Sequence, residues 1–75
     1  MFDMAWVDDP MIGNHLLIRR NGRGVGSVRV DEYGVHHSGE LFGNPIRPEF
    51  LPVAIEALEN ARVRVERLAA EEAAK

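Results

Sequence analysis

A chain of 75 residues with 45% apolar and 28% charged side chains and a formal charge of −3 has the composition of one folded domain, not of a disordered segment. A domain this short buries only about 60% of the surface its unfolded form exposes. With no cysteine and three histidines it has no disulfide and a poor set of zinc ligands, so association with a second copy or a partner is the expected source of extra stability.

The apolar runs are too short to cross a bilayer, and the opening "MFDMAWVDDP" carries acids where a signal peptide needs cations. A cytoplasmic protein with no membrane partner is expected. Eight arginines against one lysine, with abundant Ala, Val and Gly, fit a GC-rich genome and the size class of phage accessory proteins acting on a host or partner protein. Charge is uneven: residues 14–30 hold Arg19, Arg20, Arg23 and Arg29 and no acid, while the rest of the chain is acidic.

In chain order, "FDMAWV" alternates large apolar with small or polar residues and predicts a half-buried strand over residues 2–7. "DDPMIGN" reads as a loop. "HLLIRR" and "VGSVRV" predict strands over 14–20 and 25–30 about the turn "NGRG". A type I turn closed by a left-handed Gly24 would set Asn21 opposite Val25, Leu16 opposite Val30 and Ile18 opposite Val28. Those four aliphatic residues would then share one face, with Leu17, Arg19, Ser27 and Arg29 on the other. "DEYG" has turn chemistry again and leads into a strand over 35–38, in which either His36 or His37 faces inward.

Residues 39–51, with their glycines and prolines, form a crossing loop. The remainder predicts a helix over about 52–73, with Pro52 in its first turn. Leu51, Ala54, Leu58, Ala61, Val65 and Leu68 recur at spacings of three and four and define the expected packing stripe, widened by Ile55 and Ala69. Glu59 with Arg62, Arg67 with Glu71 and Glu71 with Lys75 are placed to pair. The expected fold is α+β: an antiparallel meander of three to four strands with one C-terminal amphipathic helix packed on it, in a single domain spanning 1–75. Such a helix is about 33 Å long against about 20 Å for six-residue strands, so its last two turns overhang the sheet.

The phrase "EALENA", residues 56–61, after three strands resembles the strand–strand–strand–helix core of small HicB-type antitoxins. The likeness is one of fold. The "PDLPG"-like turn of that family has no counterpart here, so its function is not carried over.

The glycines of "GRGVGSV" imitate a phosphate loop, but a second strand follows where a phosphate-binding helix would have to begin. His36 and His37 point to opposite faces of a strand and so cannot share a metal, and no nucleophile stands at a recognisable spacing from a base. No catalytic residue, cofactor or metal is expected. The leading reading is a non-enzymatic protein–protein interaction module, a homo-oligomer or the binder of one protein, with Val65, Leu68, Ala69 and Trp6 at its interface. The alternative is a β-hairpin that binds nucleic acid through Arg19, Arg23 and Arg29 of the basic segment 19–29.

Overall fold

A computed structural model describes residues 1–74. Four strands, β1 (Phe2–Asp9), β2 (Gly13–Arg20), β3 (Arg23–Asp31) and β4 (Gly34–Ser38), form one antiparallel sheet in the order β1-β2-β3-β4. A short 3-10 turn (Glu40–Phe42) follows, and the helix α1 (Leu51–Ala73) packs across one face of the sheet. The fold is an α+β meander with one C-terminal helix. β1 and β3 run a few residues longer than the expected strands, and the 39–51 loop is not wholly irregular, since it contains the 3-10 turn.

The first and third hairpins are each closed by an aspartate local to the turn. Asp9 Oδ1 accepts the N–H groups of Met11 (2.7 Å) and Ile12 (3.0 Å), which holds its carboxyl below the ordinary carboxylate range, chiefly through Met11. Asp31 Oδ1 does the same for the N–H of Tyr33 at 2.9 Å.

The central hairpin corrects the expected register. Asn21 and Gly22 both have positive φ, 53° and 83°, so they make a two-residue turn of the mirror-image type whose twist suits antiparallel strands. Arg20 therefore faces Arg23, and Leu16 pairs with Val28 rather than Val30, while Ile18 pairs with Gly26 rather than Val28. A bulge between Ile18 and Arg19 absorbs Val25 as an extra residue, and that side chain joins the core. The offset of two at Leu16 preserves which residues share a face, because side chains alternate with period two. β4 settles the open choice at the histidines. His37 lies opposite Val28 and its ring contacts Phe42, while His36 lies opposite Arg29 on the other face.

Leu16, Ile18, Val25, Val28, Leu41, Phe50, Ala54, Ala57 and Ala61 form the core. On the helix side this is a correction. The large members of the expected stripe do not pack on the sheet: Leu51, Ile55, Leu58, Val65 and Leu68 are all exposed, and Ala54, Ala57 and Ala61 make the contact, with Phe50 just ahead of the first turn. Side chains ending at Cβ let the helix close onto the sheet. The space around that contact is filled from elsewhere, by Leu41, Phe50, Met4 and Trp6.

α1 runs in the same direction as β1. At its start Phe50 meets Phe2 edge-on at 5.9 Å, in its middle Asn60 Nδ2 donates to Met4 Sδ at 3.3 Å, and further along Arg64 stacks 3.8 Å over Trp6 and donates to Asn14 Oδ1 at 2.6 Å. Asn14 stands near the start of β2, so residues 65–73 continue for about 13 Å past the point where Arg64 is tied to the sheet.

Candidate interaction surface

The helix presents its large aliphatic residues on a defined flank. Taking 3.6 residues per turn, Leu51, Leu58 and Val65 recur every seven residues about a quarter turn round from the alanine face, with Ile55, Arg62 and Ala69 beside them. Asn60 lies about a quarter turn the other way and reaches β1. The aliphatic flank therefore overlooks the β3–β4 side of the sheet. Arg62 sits within this flank and is held by Glu59 and Glu66 on the same helix; both pairings raise the arginine's pKa and the first lowers that of Glu59. Arg67 and Glu71 pair at 3.7 Å, whereas the expected partner of Glu71, Lys75, lies outside the described residues.

Of the expected interface residues, Val65 is 40% exposed, Leu68 39% and Ala69 exposed, all on the overhang. Leu68 follows Ala54 and Ala61 at intervals of seven, so it points to the side of the sheet, yet it is left 39% exposed. Trp6 lies apart from them. It is half-buried on the inner face of β1 beneath the Arg64 guanidinium, an anchor of the helix to the sheet.

Sequence reasoning missed the companions of the overhang. Met11 and Ile12 in the β1–β2 turn, Tyr33 in the β3–β4 turn and Val35 at the start of β4 are exposed large apolar residues. In a meander the first and third turns share one end of the sheet, and here it is the end over which α1 projects. Turn residues have no periodicity to betray them, but the strand order alone would have grouped these two turns.

The arginines of the alternative reading are dispersed over the surface and each is answered by a carboxylate. Arg19 pairs with Asp3 at 3.2 Å, Arg23 with Glu40 at 2.8 Å and Arg29 with Asp31 at 2.7 Å. His36 Nε2 also donates to Asp31 at 2.9 Å; that hydrogen bond first, then the Tyr33 N–H and Arg29, hold the Asp31 carboxyl at about 2. A depression of about 230 Å³ on this face is lined by Ile12, His15, Arg29, His36 and His37, and another of about 410 Å³ follows the bulge from Arg23 to Ser27. The Ser27 and Ser38 hydroxyls between them bond to each other at 3.0 Å, and the buried His15 donates through Nδ1 to the Gly13 carbonyl at 3.0 Å.

Among the described residues no three His, Cys, Asp or Glu side chains are grouped to hold a metal ion, and no helix is long and apolar enough to cross a membrane. No family model, curated protein or solved structure matches the chain. Its surface is the remaining guide to what it does.

Proposed function

We propose that the chain is a small non-enzymatic module for protein–protein interaction, self-associating or holding one protein partner through the projecting end of α1. The observation that carries this reading is the alanine-faced helix: alanines pack on the sheet while Leu58, Val65 and Leu68 stay about 40% exposed, and Tyr33 and Val35 are exposed at the end of the sheet toward which α1 runs. Contiguous exposed apolar patches larger than a few hundred Å² are rare on monomeric proteins and mark contact sites. A cytoplasmic setting, and a role as an accessory protein of a phage or its host, belong to the same proposal and rest on composition.

The nucleic-acid reading receives less support, since Arg19, Arg23 and Arg29 each have an acidic partner that a phosphate would have to displace. Replacing Val65 and Leu68 together by Glu tests the leading proposal. Both lie outside the core, so the helical circular dichroism should be retained while concentration-dependent mass and capture of partner protein are lost. If both persist unchanged, the contact surface is elsewhere.

A further inference from the structure

We propose that the face of the sheet turned away from α1 carries a site for a free hydrogen phosphate ion, formed by His15, Arg29 and His36 with the Ser27 and Ser38 hydroxyls. It lies on the opposite face from the α1 contact and is independent of the interaction-module reading.

Strand register assembles the site. Leu16, Ile18 and Val28 point into the core beneath the helix, so His15, Ser27 and Arg29 point the other way. Arg29 is the cross-strand partner of His36, and continuing the Leu16–Val28 register by one residue sets His15 level with Arg29. His15, Arg29 and His36 thus form a row across β2, β3 and β4. Ser27 and Ser38, partners of each other, form the next row about 7 Å along the strands. These five residues line the depression of about 230 Å³, smaller than the roughly 300–1,000 Å³ of pockets for larger organic ligands and suited to a small ion.

No acid lines this depression, although the chain has a net charge of −3. Asp31 lies outside the lining and orients two of its members, taking Arg29 Nη1 at 2.7 Å and His36 Nε2 at 2.9 Å. Arg29 has further N–H donors on Nε and Nη2. A polyanion spanning the hairpin would have to part Arg19 from Asp3 and Arg23 from Glu40 as well, whereas a small anion meets Arg29 alone.

The hydrogen-bond partners fix what the lining offers. His15 is 7% exposed, and its Nδ1 lies 3.0 Å from the Gly13 carbonyl, which can only accept. The ring proton is therefore on Nδ1, and Nε2 carries a lone pair. His36 is held in the same manner: the Asp31 carboxylate accepts from Nε2, which leaves the lone pair on Nδ1. The mutual bond of Ser27 and Ser38 at 3.0 Å uses one of their two hydroxyl protons. N–H and O–H donors are thus combined with two imidazole acceptors. Hydrogen phosphate has oxygens for the donors and a P–OH for an acceptor, while sulfate has no proton to give.

Separation decides against a metal ion. β2 and β4 are two strand spacings apart, about 9.6 Å, with the permanent charge of Arg29 between them. A zinc ion bridging the two rings would need their nitrogens within about 4 Å, at bonds of about 2.0 Å each. A phosphate reaches them through two hydrogen bonds of about 2.7 Å plus its own width.

The test is a titration of the nitrogen-15-labelled chain with phosphate, sulfate and methyl phosphate at about pH 7.5 and constant ionic strength, following amide and imidazole shifts. Phosphate should shift His15, Ser27, Arg29, His36 and Ser38 saturably and bind about fivefold more tightly than sulfate or methyl phosphate, both largely without a proton at that pH. Arg29→Gln should weaken phosphate binding at least about tenfold, and Ser38→Ala, which spares the Asp31 contacts, about threefold. Arg19→Gln, on the same face but outside the depression, should stay within about twofold. Circular dichroism checks that each variant folds; if Arg29→Gln does not, Ser38→Ala decides. Absence of saturation by phosphate, or an equal loss from Arg19→Gln and Arg29→Gln, would overturn the site. So would equal binding of the three anions, tighter binding of methyl phosphate, which would point to a phosphate monoester, or saturable shifts of His15 and His36 by zinc alone.

Discussion

Two neighbouring substitutions on α1, Ala57→Leu and Leu58→Ala, decide which face of the helix carries the fold. Ala57 is 0% exposed where helix and sheet approach through Cβ atoms alone. A leucine there must place three further carbon atoms between the helix and β-strands whose side chains already fill the layer. Overpacking of this kind costs about 1–3 kcal/mol, and a helix–sheet contact with no yielding neighbour belongs at the upper end. Leu58 is 40% exposed, so truncating it forfeits part of one aliphatic burial and leaves no closed cavity, about 1 kcal/mol. For a domain of this size about 1 kcal/mol corresponds to roughly 4–8 °C in melting temperature. Thermal melts followed by far-UV circular dichroism, at one low protein concentration so that association contributes equally, should place Ala57→Leu at least about 10 °C below the unmodified chain and Leu58→Ala within about 8 °C of it. Were Leu58 part of an inward stripe, its truncation would cost about 2–5 kcal/mol and a larger residue at 57 would be accommodated in solvent. Greater loss from Leu58→Ala than from Ala57→Leu would refute the alanine-faced packing.

Further outcomes follow from single contacts. Gly39 has φ of 100°, and a Cβ there would sit 2.6 Å from both Gly26 Cα and the Val25 carbonyl, so Gly39→Ala should cost about 2–4 kcal/mol in chemical denaturation. Gly24→Ala, whose Cβ would meet only Leu17 Cδ1 at 3.8 Å, should stay within about 0.5 kcal/mol, and equal effects at the two sites would contradict the packing at the bulge. Arg64→Ala removes both the cover over Trp6 and the bond to Asn14; a red-shifted tryptophan emission is expected, which Arg64→Lys should not reverse because the planar stack is lost. Asp31 has a carboxyl held at about 2 against an ordinary 3.8, so its contribution is present above about pH 4 and is lost as pH falls toward 2. Acid unfolding of Asp31→Asn should accordingly be shallower in that window, and a superimposable acid limb would count against the Asp31–His36 contact.

The fold class was legible because its signals are periodic. Alternation in "FDMAWV", turn chemistry at "NGRG" and "DEYG", and Pro52 ahead of a long run of helix formers locate every major element. What failed were choices between two spellings of the same physics. "NGRG" holds a three-residue turn ending at Gly24 and a two-residue turn at Asn21-Gly22, and the sequence contains glycines suited to both. The strand faces survived the wrong choice only because the offset at Leu16 was even. The helix was rotated for a different reason. Hydrophobic periodicity centres the stripe on its large side chains, so it includes Ala54 and Ala61 beside Leu51, Leu58, Val65 and Leu68 and omits Ala57, whereas in the structure closeness of approach decides the contact. The exposure of Val65, Leu68 and Ala69 needed only a length comparison. Placing the exposed Tyr33 and Val35 at the same end needed the topology as well.

The alanine face and the exposed aliphatic flank are two consequences of one arrangement. A helix that closes onto a four-stranded sheet through Cβ atoms gains tight packing, but it leaves no interior volume for Leu51, Ile55, Leu58, Val65 and Leu68. A chain of 75 residues has a net stability of about 4–11 kcal/mol, and five half-covered aliphatic side chains at about 0.5–1 kcal/mol each are a considerable fraction of it. Much of that contribution is realised only when a second surface covers the flank. Stability should therefore be linked to concentration: if a second copy supplies the cover, the melting temperature rises as the chain is concentrated from about 5 to about 500 µM, since binding to the folded state alone shifts unfolding by mass action. Glu at Val65 and Leu68 should remove that rise while leaving the dilute melting temperature nearly unchanged. A melting temperature independent of concentration in the unmodified chain would separate the exposed flank from self-association and leave a foreign protein as its only cover.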